Sequence, residues 1–125
     1  MTFVDAAEAA DETMVKSMLD ANPELREAHA DLVPRLAASR NWPAVRLLVP
    51  LGFEVNGVSS DGATPLHHAA AAGELAIAQL LVEHGGDPSA REPQFGAQPA
   101  GWAQYFHKGE TQTYLESLAP AEEME

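Results

Sequence analysis

Apolar residues along this chain recur at spacings of three and four, in short runs that Gly, Pro, Asn or Asp closes before the next begins. The pattern predicts a string of short helices, paired and joined by turns and extended connections. It is clearest in "DGATPLHHAAAAGELAIAQLLVEHGGDPSA", Asp61 to Ala90. There Thr64 is placed to cap a helix, with Pro65 in the first turn, where a missing N–H does no harm. The helix should run to about Ala72 and break at Gly73. Glu74 begins a second helix, whose face Leu75, Ala78, Leu81 and Val82 points inward and which ends at Gly85 or Gly86.

The same plan recurs along the chain. Leu47, Leu48, Val49 and Gly52 stand 33 residues before Leu80, Leu81, Val82 and Gly85, and Ala37 and Ala38 stand opposite Ala70 and Ala71. A shift of 63 lays Phe3, Ala6, Ala7 and Val15 on Leu66, Ala69, Ala70 and Ala78. A shift of 34 lays Gly62, Pro65 and Ala69 on Gly96, Pro99 and Ala103. One all-α domain over residues 1–118 is expected, with repeats at about 3–22, 31–56, 61–90 and 95–118, followed by an acidic tail, 119–125. Two segments depart from the plan. Asn22 to Asp31 is longer than a turn needs, and its Asn-Pro-Glu start could cap one extra helical turn. "HKGETQT" blurs the last inter-helix turn.

The window Asp61 to Ala90 closely resembles an ankyrin repeat: Thr64, Pro65, Leu66 and His67 reproduce the T-P-L-H signature, followed by the alanines, G-x-L, a leucine pair and G-x-D. The second unit keeps the alanines, the leucine pair and the Val-Asn turn but lacks the tetrapeptide. The first and last units resemble degenerate terminal repeats. "LVPLGFEVN" and "FGAQPAGWA" also resemble stretches of small bacterial ankyrin-repeat proteins. The resemblance implies an ankyrin-repeat α-solenoid of about four helix-turn-helix repeats. In it His67 orders the turns between repeats, and a concave groove is built from loop tips and first helices. On this chain the groove positions are Glu8 and Ala9, Ala38 and Ser39, Ala71 and Ala72, Tyr105 and Phe106, with Ser60, Asp61, Ala63, Gln94 and Phe95 at the tips.

Composition narrows the chemistry. Of 125 residues 46% are hydrophobic but only 6% aromatic, so the core must be built from small and aliphatic side chains. No cysteine is present, which removes disulfides, thiolate metal sites and cysteine nucleophiles. Nineteen acids against seven bases give a net charge of −12, which repels phosphate backbones and anionic membrane surfaces. Asp5 and Glu8 sit where a secretory signal would carry bases, and Arg46 and Gln79 interrupt the most apolar runs. A cytoplasmic protein is expected, with nucleic acid and membrane excluded as partners.

His67 and His68 project about 100° apart on a helix, so one ion cannot take both rings, and no metal or cofactor is expected. His68 aligns with Trp102 and Arg35, a column that tolerates large side chains. Packing with one ring nitrogen wet is the expected role, and a ligand pocket at His68 and Trp102 is the sharper alternative. His29, His84 and His107 fall near loops or helix ends and read as solvated. Ser59, Ser60 and Asp61 precede His67, but such residues favour turns for their local hydrogen bonds. Asp11 and Glu12 suit a helix start, Glu122 and Glu123 the tail. No catalytic residue is assigned.

These readings converge on a monomeric, non-catalytic module that binds a partner protein, basic if the charge is matched, through the concave groove. Two alternatives stand beside it. One is a small-molecule binder or enzyme with a pocket on the concave face, near the Asn22 to Asp31 connection. The other is an acidic inhibitor or immunity-type protein masking a basic enzyme.

Overall fold

Side chains that hydrogen-bond a helix's first amides set where the helices begin in the computed structural model, which describes residues 2–118. Thr2 and Asp5 exchange a capping box at α1 (Phe3–Glu8), and Asp11 accepts from Met14 N–H at 3.1 Å to open α2 (Glu12–Ala21). A single turn, α3 (Leu25–Ala28), leads to α4 (Leu32–Ala38). Asn41 caps α5 (Trp42–Leu48), which tightens into a 3₁₀ turn at Val49–Leu51. Then follow α6 (Pro65–Ala72), α7 (Leu75–Glu83), α8 (Pro99–Tyr105) and α9 (Gly109–Leu118). Thr64 caps α6 through the amide of His67, with Pro65 at the first helical position and the helix ending at Ala72, as the sequence predicts.

Four of these helices end in the same way. Ala10, Arg40, Gly73 and His107 adopt left-handed φ values of 54°, 63°, 72° and 60°. In each case the next amide bonds back to the carbonyl five residues earlier: Asp11 to Ala6, Asn41 to Leu36, Glu74 to Ala69 and Lys108 to Ala103, at 2.8 to 3.0 Å. This closure satisfies carbonyls that a helix end would leave open and swings the chain back to start the second helix of the pair. Only Gly73 announces it in the sequence. At the other three positions a side chain is carried in a conformation that costs it about 1–2 kcal/mol, which the two hydrogen bonds of the closure offset.

The pairs stack side by side. α4 packs on α6 and α6 on α8 in one row, while α5 packs on α7 and α7 on α9 in the other, giving an all-α solenoid of four helix pairs. Buried Val15, Val33, Leu36, Val45, Leu48, Leu66, Ile77, Leu81 and Leu115 run through the stack as one core, together with Ala6, Ala7, Ala37, Ala44, Ala69, Ala70, Ala78 and Ala103. On α7 the covered face is Ile77, Ala78 and Leu81, whereas Leu75 and Val82, expected to point fully inward, are half-buried at its margins. Successive residues turn by about 100°, which puts those two on the flanks of a stripe centred on Leu81.

The long connection does form an extra turn, α3, but no side chain caps it. It packs back on the stack: His29, expected in solvent, is half-buried with its ring 5.4 Å from that of Phe3, which in turn stacks on Phe53. The Arg26 Nε–H donates to the carbonyl of Leu51. Among the described residues no helix is long and apolar enough to cross a membrane. The acidic tail 119–125, with Glu122 and Glu123, lies outside the described residues.

Candidate functional site

The turn from Glu92 to Ala97 is held by a carboxylate. Glu92 accepts from the amides of Gln94 at 2.7 Å, Phe95 at 3.1 Å and Ala97 at 3.2 Å, and its Oε1 stands 3.5 Å from the indole Nε1 of Trp102. Its side chain is 1% exposed. Burial alone would push the carboxyl pKa up, but the amides of Phe95, Ala97 and Gln94 and the indole outweigh it, and the pKa lies below the usual value. Glu92 therefore stays ionised and anchors both the turn and the ring of Trp102. Nothing in periodicity marks this residue. The available signal was its position two residues before Gln94, three before Phe95 and five before Ala97, within reach of the turn's free amides.

His67 ties the same turn to α6. Its Nδ1 accepts from the Thr64 amide at 3.2 Å, leaving Nε2–H to donate to the Ala97 carbonyl at 2.7 Å. That carbonyl also accepts the Glu92 amide at 3.1 Å. The ring is fully buried, and burial holds its pKa below the ordinary histidine value. His67 is thus a neutral imidazole clamped between two backbone groups, the Thr64 amide and the Ala97 carbonyl.

Trp102 stands beside both histidines, with ring centroids 5.1 Å from His67 and 5.6 Å from His68. Its far side opens on a hollow of about 430 Å³ lined by Gln94, Phe95, Ala97, Gly101, Trp102, Tyr105 and Phe106. Tyr105 is 77% exposed, Phe95 75% and Phe106 44%, and the Tyr105 and Phe106 rings stand edge to face with centroids 5.0 Å apart at 87°. Tyr105 and Phe106 therefore face outward, while Trp102 and Tyr114 of the same helix pair are half-buried against the core.

The structure brings together the two residues that the sequence paired, ring edge against ring, but they do not line one hollow. Trp102 lines the hollow, but His68 does not: it is half-buried behind the tryptophan, with Nε2 3.1 Å from Ser59 Oγ and 3.8 Å from Asp61 Oδ1. Ser59 donates its hydroxyl proton to Asp61, whose Oδ1 also accepts from the Ala63 amide. A serine triad would need the carboxylate on the opposite ring nitrogen from the serine. Here both meet Nε2, and the hydroxyl is committed to the carboxylate, so the cluster braces the Ser59–Ala63 turn. Burial keeps the pKa of His68 low despite Asp61.

Of the other groove residues, Ala38, Ser39, Ser60 and Asp61 are exposed, and Ala72 is half-buried. Ala71 is 7% exposed and offers almost no surface, because α6 has a neighbouring helix on each side, α4 and α8. Among the described residues no group of three or more His, Cys, Asp or Glu is placed to hold a metal ion. The connection from Asn22 to Asp31 is filled by its contacts with Phe3 and Leu51, and the aromatic hollow lies at the other end of the stack.

A family model described as ankyrin repeats (3 copies) matches residues 3–92. Among curated proteins, the Ankyrin repeat and LEM domain-containing protein 1 homolog of Caenorhabditis elegans is 46% identical over 56 residues, which is 42% of this chain and 8% of that protein. RelA-associated inhibitor of Mus musculus is 47% identical over 45 residues, 36% of this chain and 6% of the relative. The matches thus span less than a tenth of the length of either relative. Every residue that lines the aromatic hollow lies beyond the stretch the family model matches. With the family model covering well over half of the chain and its helix pairs stacked as a solenoid, the protein belongs to the ankyrin-repeat family.

Proposed function

We propose that this protein is a non-catalytic module that binds a partner protein through the concave side of its helix stack, with Phe95, Trp102, Tyr105 and Phe106 as anchors. The observation that carries the reading is the exposure of Tyr105 and Phe95, 77% and 75%, around one hollow on a rigid helical scaffold. Monomeric proteins rarely leave clustered apolar rings in water without a use, and aromatic side chains are enriched among interface hot spots. The small exposed residues Ala38 and Ser39 continue the surface toward the N-terminal pairs, giving a partner backbone room to approach. The family supports the reading, since ankyrin repeats generally serve as protein-interaction surfaces, and one relative is named for its association with another protein.

The test compares wild type with the Tyr105→Ala/Phe106→Ala double variant in affinity capture from native lysate. Loss of a stoichiometric partner at unchanged melting temperature is the expected result, with each true hot spot worth about 2 kcal/mol or more. An unchanged partner would overturn the assignment of the anchor. Unfolding of the C-terminal pair would mean that the rings cap the core.

A further inference from the structure

The partner reading leaves open what chemistry the aromatic hollow accepts, and four features of the hollow bear on that. Its walls are ring faces, with the Tyr105 and Phe106 rings meeting at right angles and Phe95 and Trp102 completing the surround. Among the described residues the lining holds no lysine or arginine, and its polar side-chain groups are the tyrosine hydroxyl, the indole N–H and the neutral amide of Gln94. The indole N–H of Trp102 is directed to the Glu92 carboxylate, which is buried and held by backbone amides, with no basic side chain paired to it among the described residues. A carboxylate accepting from an indole N–H pushes electron density onto the ring and adds negative potential behind it. Finally, the whole chain carries a net charge of −12.

An anion would be repelled by the ring faces, the Glu92 carboxylate and the net charge, and would find no cation in the lining. An apolar side chain would fit the ring faces but would gain nothing from the charge behind them. A cation gains from both, because the faces of aromatic rings are negative and attract positive charge. Between the two biological side-chain cations, the planar and weakly hydrated guanidinium stacks flat on aromatic faces, whereas an ammonium must first shed a tightly held water shell in a lining that offers it almost no acceptors. A volume of about 430 Å³ accommodates a guanidinium together with its aliphatic stem.

We propose that the hollow formed by Phe95, Trp102, Tyr105 and Phe106 is a subsite for an arginine side chain presented by the partner protein. The assignment rests on the partner-binding reading of this surface and adds the chemistry of what is bound.

The test is an NMR titration of the full chain with three short peptides, acetyl-Gly-Arg-Gly-amide and its citrulline and norleucine counterparts. Citrulline keeps the shape of arginine without its charge, and norleucine keeps only the stem. The signals read are the Trp102 indole and the amides of Phe95 and Ala97. The arginine peptide should bind about fivefold or more tightly than the citrulline peptide, and added salt should narrow the difference. Phe95→Ala and Tyr105→Ala, both at largely exposed rings, should abolish the arginine-dependent shifts at unchanged melting temperature. Equal binding of all three peptides, or no shift with the arginine peptide, would overturn the proposal. The two readings fail separately. If the double variant loses its partner while the peptides do not discriminate, the groove stands and the arginine subsite falls. If the arginine peptide is selected while the double variant keeps its partner, the hollow takes a guanidinium, but the groove reading falls and with it the assignment of that guanidinium to the partner.

Discussion

The Nε2–H of His67 donates to the carbonyl oxygen of Ala97 at 2.7 Å, across 30 residues of sequence. The same oxygen takes the amide of Glu92, and the Glu92 carboxylate in turn holds the ring of Trp102. A signature residue of the third helix pair thereby positions the turn and the aromatic wall of the fourth. The coupling runs from a family motif to the surface proposed to bind.

Replacing His67 by alanine should lower stability by about 1–3 kcal/mol, because it strips a partner from the buried amide of Thr64 and from the Ala97 carbonyl. Urea unfolding of wild type and variant measures the loss, and the metal content should be nil in both. Stoichiometric zinc present in wild type and absent from the variant would show that the imidazole had another role.

Acid should destabilise the fold in the histidine range. Burial lowers the folded pKa of both His67 and His68 below the ordinary value of about 6.5, so in that window the unfolded chain binds more protons than the native one. Their contribution is therefore complete above the unfolded value and is lost as pH falls through and below it. Asp61, held low chiefly by the hydroxyl of Ser59, and Glu92 lose theirs only in more acidic solution. The urea midpoint should fall between about pH 8 and about pH 5.5, and less steeply in His67→Gln. A flat profile in wild type would contradict the neutral clamp.

Leu81 sits at the centre of the buried face of α7, with no exposed surface, among helices of adjacent pairs. Truncation to alanine should cost roughly 2–5 kcal/mol, read from chemical unfolding. A variant as stable as wild type would mean that the α7 register is misplaced.

Two glycines separate a backbone effect from a contact. Gly62 and Gly96 both have left-handed φ values, +84° and +65°, but a Cβ on Gly62 would stand 2.5 Å from Cγ of Pro93 in the next turn, while one on Gly96 would meet nothing within 4 Å. Gly96→Ala should therefore cost only the backbone strain, about 1–2 kcal/mol, and Gly62→Ala distinctly more. Equal losses in thermal unfolding would show that the two turns do not pack on each other.

The pH profile, Leu81 and the glycine pair examine the stack, while Tyr105 and Phe106 examine the surface, and the two levels differ in how far the sequence alone could reach. Thr64, Pro65 and Gly73 act on amides and carbonyls within a few residues of themselves, so the start, the cap and the break of α6 follow from local chemistry. The spacing of Leu66, Ala69, Ala78 and Leu81 determined which sides of those helices are covered, because burying an apolar stripe is the driving force of the stack. Other features needed the neighbours. The left-handed break recurs at Ala10, Arg40 and His107, where the residue type gives no sign of it and the hydrogen bonds that close each helix end offset its cost. No local pattern marks Glu92, whose carboxylate meets the indole of Trp102 from α8, and His29 reads as solvated until α3 folds back on Phe3. Ala71 and Tyr105 occupy the same place in successive repeats, yet α6 is enclosed by α4 and α8, while α8 has a neighbouring first helix on one side alone among the described residues. Periodicity states which residues share a face; which faces meet another helix and which are left to water was decided only when the pairs stacked.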